Sequence, residues 1–151
     1  MAAITSIEAL ETAMVARIVA LDGAAYNQGA LDATWRESAQ ALNPDSQPTP
    51  TAHLAFAVWA SSVPVEEYSS DCLRGTATIS MRFLYRLRSG DQSTDMRKAS
   101  SAAQQLVTSL RAGFEGVPVS VVDAGSKSPI TGGWLAVDLE FDAMIKISAV
   151  A

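Results

Sequence analysis

Two long runs in the chain alternate between apolar and polar positions. Residues 73–88, LRGTATISMRFLYRLR, place Ala77, Ile79, Met81, Phe83, Tyr85 and Leu87 on one side of an extended backbone. Thr76, Thr78, Ser80, Arg82, Leu84, Arg86 and Arg88 take the other side. Alternation this sustained predicts a half-buried β-strand. The run Trp134–Ser148, WLAVDLEFDAMIKIS, repeats the pattern, with Leu135, Val137, Leu139, Phe141, Ala143, Ile145 and Ile147 on its apolar side. Its other side carries Asp138, Glu140 and Asp142. One polar row is rich in arginine and the other in acid, so the two strands are expected in one sheet, joined by cross-strand ion pairs. At about 3.3 Å per residue the first strand would reach roughly 53 Å, against a diameter of about 40 Å for a domain of this size. It is expected to bend near Gly75 or to project, leaving edges for another subunit to cover.

Two helices fit the remaining apolar spacing. Over residues 5–21 the stripe is Ile7, Leu10, Met14, Ile18 and Leu21, with Thr5 and Glu8 at capping-box spacing and Gly23 as the stop. From Asp95 to about residue 112 the stripe is Met96, Ala99, Ala103, Leu106, Val107 and Leu110. Here Asp95 is the expected cap and Gly113 or Gly116 the end. A shorter helix is expected over residues 33–42, stopped by Asn43-Pro44. Residues 44–52, rich in Pro, Ser and Thr, read as an exposed loop. Residues 53–61 read as a central strand, 63–73 as the connection of a hairpin, and 117–122 as a short strand. Residues 123–133, DAGSKSPITGG, read as a Gly-rich loop. The expected fold is α+β: a mainly antiparallel sheet with two long strands, packed against two amphipathic helices, in a single domain over residues 1–151.

Composition narrows the function. With 48% hydrophobic and 18% charged residues the chain is globular in character. A formal charge of −5 argues against a protein whose main task is gripping phosphates. The first residues lack a basic region before an apolar run and carry Glu8 and Glu11, so no secretory leader is expected. No apolar run reaches the roughly 20 residues of a membrane span. Cys72 is the only cysteine, which rules out an intrachain disulfide and a tetrahedral cysteine zinc site.

Candidate chemistry is thin. GSKSPITGG lacks the GxxxxGK[ST] order and precedes a strand, so it reads as a surface or subunit-contacting loop in preference to a phosphate cradle. His53 is the only histidine and sits beside no partner for general-base work, so a structural or surface role is expected. Asp138, Glu140 and Asp142 have the two-residue spacing of any polar strand face, and ion pairs with Arg82, Arg86 and Arg88 are favoured over acid catalysis. Trp35, Trp59 and Trp134 are dispersed, as packing residues are. No catalytic, cofactor or metal site is expected. The residues expected at a subunit or partner interface are Arg82, Arg86, Arg88, Asp138, Glu140, Asp142 and, in the Gly-rich loop, Lys127.

The order helix, strand, loop, long strand, helix, short strand, long strand resembles the tail terminator proteins of long-tailed bacteriophages. The resemblance lies in PTAHLAFAVWA, VEEYSSDCLRGTATISMRFLYRL and WLAVDLEFDAMIKI, with the helix over residues 95–112 between the long strands. It implies a non-enzymatic virion protein of the tail–neck region. Copies would form a ring, hexameric by the resemblance, that caps the tail tube, stops its polymerisation and presents a head–tail joining surface. The implied partners are the protein itself, the tail tube protein and the neck or connector proteins. DNA would pass through without specific binding, helped by net negative charge. Another neck, connector or tube component stays open as an alternative, and so does a small α+β enzyme or ligand-binding domain.

Overall fold

A computed structural model describes residues 4–21, 35–42, 53–63, 65–69, 72–87, 92–130 and 133–148. The elements are α1 (Ile7–Val19), β1 (Arg36–Glu37), β2 (Ala55–Ser62), β3 (Val65–Ser69), β4 (Cys72–Arg86), α2 (Gln92–Leu110), β5 (Val119–Ile130) and β6 (Trp134–Ser148). The class is α+β, with six strands in one sheet in the order β1-β2-β4-β6-β5, and β3 also pairing with β4. All pairings are antiparallel except the two-residue β1 against β2.

β4 and β6 run residue against residue for their full fifteen-residue length, from Cys72↔Ser148 to Arg86↔Trp134, without a bulge. The alternating patterns explain why: any slip by one residue would turn every apolar side chain to the wrong face. On the other flank, β2 covers β4 from Phe56↔Phe83 to Ser62↔Thr78, and β3 continues in line from Val65↔Gly75 to Ser69↔Cys72. The expected overhang of the long strand is therefore not found. β4 is about 50 Å long at strand rise, but β6 pairs its whole length on one side, and β2 and β3 in succession pair most of it on the other.

Both helices lie on one face. In α1, Leu10, Met14 and Ile18 are fully buried. Its cap is Ser6 instead of the expected Thr5: Ser6 is extended, at φ −142 and ψ 154, and its Oγ accepts from the Ala9 N–H at 3.1 Å. In α2 the buried stripe is Ala99, Ala102, Ala103, Leu106 and Leu110. That helix begins three residues before Asp95, which lies buried in its first turn, where a carboxylate suits the helix dipole. Gly113, at φ +80, ends the run, and its N–H donates to the Leu110 carbonyl at 3.0 Å. A cation from the other helix completes that end. Arg17 donates from Nη1 to the carbonyls of Ser109 (3.2 Å) and Gly113 (2.7 Å), and its guanidinium stands 3.7 Å from the centre of the Phe114 ring.

Two expected elements are corrected. Of the helix expected over residues 33–42, the described part is Trp35, β1 and a short 3-10 turn at Ala39–Ala41. Trp35 explains the change. It is fully buried, edge-on to Phe83 (5.1 Å) and Phe56 (6.3 Å), and its Nε1 donates to Gln105 Oε1 at 3.1 Å. Anchored there, the chain runs beside β2. The Gly-rich loop expected over residues 123–133 is instead most of β5, paired along β6 from Val119↔Ala143 to Ile130↔Trp134. Its weak strand propensity is overridden by that ladder, with register shifts between Val121 and Asp123 and between Asp123 and Ser126. Gly125 is required there. Its φ is +140, and a Cβ would meet Ala103 of α2 at 3.2 Å. Gly23, the loop over residues 44–52 and Arg88 lie outside the described residues.

Candidate functional site

The face of the sheet turned away from the helices has two ends of different character. At one end Ala41, Ala55, Ala57, Leu84, Trp134 and Ala136 form a small second core. Leu84 was expected among polar neighbours and is fully buried in that core. His53 sits beside it at the start of β2. Its ring is 1% exposed and edge-on to Tyr85 at 4.6 Å, and its Nδ1 accepts from the Arg86 N–H at 3.1 Å. An imidazole accepting a backbone proton there holds the end of β4; of the structural or surface position expected of it, the buried ring leaves only the first.

Beyond this core the face is open. Trp59 and Ser61 of β2, Thr76, Thr78, Ser80 and Arg82 of β4, and Asp138, Glu140 and Asp142 of β6 share it. Asp123 of β5 joins them, in register with Glu140. Trp59, Ser80, Arg82, Asp123, Asp138 and Glu140 line a shallow cavity of about 200 Å³.

The expected arginine–acid rows meet at one position. Arg82 Nε donates to Asp138 Oδ1 at 2.6 Å, and its guanidinium lies 5.8 Å from the centre of the Trp59 ring. The antiparallel register dictates the rest. Moving along β4 from Arg82 towards Arg86 means moving along β6 from Asp138 towards Trp134, away from the acids. Arg86 therefore lies opposite Trp134, 6.0 Å from its ring centre, while Glu140 and Asp142 lie opposite Ser80 and Thr78. Thr78 Oγ1 donates to Asp142 at 3.4 Å, and Glu140 has no ion pair among the described residues. Lys127 is not part of this face. It pairs in register with Val137, whose side chain belongs to the core beneath the helices. Arg74 and Lys146 lie opposite each other at the far end of the open face.

Asp123 was not among the residues picked from the sequence, although Asp-x-Gly-Ser carries the signal of a local side-chain turn. Its carboxylate accepts from Ser126 Oγ at 2.5 Å and from the Gly125 N–H at 2.9 Å. The Ser126 hydroxyl first, and the Gly125 amide second, hold its pKa below the ordinary carboxylate value, against a small opposing effect of burial. The open face thus carries four carboxylates, with Arg82 paired to Asp138 and Arg74 and Lys146 at its far end, and Asp123 and Glu140 stand in register on neighbouring strands.

Among the described residues, no cluster of three or more His, Cys, Asp or Glu side chains is placed to hold a metal ion. Among the same residues, no helix is long and apolar enough to cross a membrane. No known family model matches the chain, and no curated protein matches it significantly.

Proposed function

We propose that the chain is a structural virion protein whose copies form a closed ring at the end of a phage tail tube, stop the tube's growth and present a surface to the neck. The observation that carries this reading is the shape of the sheet. A fifteen-residue β4–β6 ladder is buried beneath both helices on one side and bears an open, charged surface over half of the other. A sheet finished on one side and charged on the other suits a subunit that is completed by neighbours. The charges would set partner and register more than raw affinity. The ring would be heterologous, each copy using two different surfaces. Its work would be assembly, with no bond made or broken. Its partners would be further copies of itself, the tube protein and the connector, with DNA passing an acidic wall that does not retain it.

The test is electron microscopy of purified protein mixed with tail tubes of a long-tailed phage that lack their own terminator. Density for a ring at one tube end, with tubes no longer extending, is the expected result. Tubes that keep growing with bare ends would remove the terminator role. A ring of twelve that binds connectors and ignores tubes would move the protein to the neck.

A further inference from the structure

We infer that copies of this chain join head to tail, the open acidic face of one sheet receiving the solvent-facing stripe of α2 from the next copy. The inference deepens the ring reading and rests on it for closure, but the choice of surfaces rests on the distribution of charge.

On the receiving side stand Asp123, Asp138, Glu140 and Asp142, with Arg82 committed to Asp138 at 2.6 Å. Glu140 stands in register with Asp123 and has no ion pair among the described residues, so a cation from outside could pair with it. Hydrogen bonds from the Ser126 hydroxyl and the Gly125 amide favour the ionised form of Asp123. On the presenting side, Arg97, Gln104 and Arg111 stand seven residues apart and so fall on one line of the helix. All three are exposed, as are Ser93, Ser100 and Thr108 around them. The one acid of α2, Asp95, is buried, so the exposed stripe carries no acid and has two cations, Arg97 within the helix and Arg111 one residue past its end. The opposite face of the same molecule is therefore its own electrostatic complement.

α2 packs chiefly above β5, with further contact to β6. Its outer stripe and the acid patch thus lie on opposite sides of the same part of the sheet. Each copy would use its helix on one neighbour and its sheet on the other. Such contacts close into a ring when the rotation per copy divides the circle, and run on as a filament when it does not.

The experiment is a charge swap read by native mass spectrometry and light scattering at low ionic strength, where such contacts are least screened. One variant carries Arg97→Glu and Arg111→Glu, and another carries Glu140→Lys and Asp142→Lys. Circular dichroism melts check that each is folded, and the neutral pairs Arg97→Gln/Arg111→Gln and Glu140→Gln/Asp142→Asn serve if a reversal fails to fold. Each variant alone should assemble at least tenfold more weakly than the unaltered chain. Mixing the two reversed variants should restore assembly, because every contact in an alternating array is again acid against base. Reversals that leave assembly intact, or a folded mixture that stays monomeric while the unaltered chain assembles, would overturn the choice of surfaces and leave the ring reading standing. Swap-restored open filaments would support the surfaces and end the ring. An unaltered chain that is monomeric at every concentration would end both.

Discussion

On the helix-bearing side of the β4–β6 ladder, Ala77, Ile79, Met81, Phe83, Leu139, Phe141, Ala143 and Ile145 are all at most 2% exposed. On the reverse, Thr76, Thr78, Ser80, Arg82, Asp138, Glu140 and Asp142 come from the same two strands and stay partly exposed. Backbone pairing is shared, so the difference lies in side chains alone. The covered side carries the stability, through apolar burial beneath α1 and α2. The open side carries charge, which adds little to stability. A fold that separates the two can change its charged face without endangering its core.

The hardest test of that separation is a pair of truncations on one strand. Phe83→Ala, between Trp35 and the helices, is expected to cost about 3–5 kcal/mol in denaturant unfolding, whereas Ser80→Ala on the open face should stay within about 0.5 kcal/mol. Equal losses would abolish the distinction. Leu84→Ala sharpens it, because Leu84 sits in the polar row yet is fully buried in the second core. A loss of about 2–4 kcal/mol is expected there, against under about 0.5 kcal/mol for Met144→Ala, which is 53% exposed in the same row of the neighbouring strand. Arg17→Ala removes the link between α1 and the end of α2 and should cost about 1–2 kcal/mol, with Arg17→Lys recovering part of it. A double-mutant cycle on Arg82 and Asp138 should return only about 0.5–1 kcal/mol, shrinking as salt is added.

The smallest effect concerns Asp123. Its folded pKa is depressed, so the stability it contributes is fully present above the ordinary carboxylate value of about 3.9 and is lost as pH falls through the folded value. Ser126→Ala should raise its titration towards the ordinary value, as followed by NMR, and the small loss of stability should show at neutral pH and vanish as pH falls below the folded value.

The long strands and both helices were legible because their periods of two and 3.6 are the direct trace of a buried face. Ala77–Tyr85 and Leu135–Ile145 announce their burial in every second residue. β5 was not legible. DAGSKSPI holds turn formers, and only the neighbouring β6 ladder makes it a strand. Trp35 likewise looked helical in its local setting, and it is Phe56, Phe83 and Gln105, distant in sequence, that fix it. At the open face the residue types were readable and the pairing was not. Which arginine meets which acid depends on a register that leaves Arg82 with Asp138 and sends Arg86 to Trp134.

The most direct measurement of the central claim is the mass of the purified chain by native mass spectrometry across a concentration series, with light scattering alongside. A closed assembly of uniform copy number, six in the terminator reading, that loosens as ionic strength rises is the expected result. A particle of single-chain mass at every concentration, with its acidic sheet face bare in solution, would contradict it.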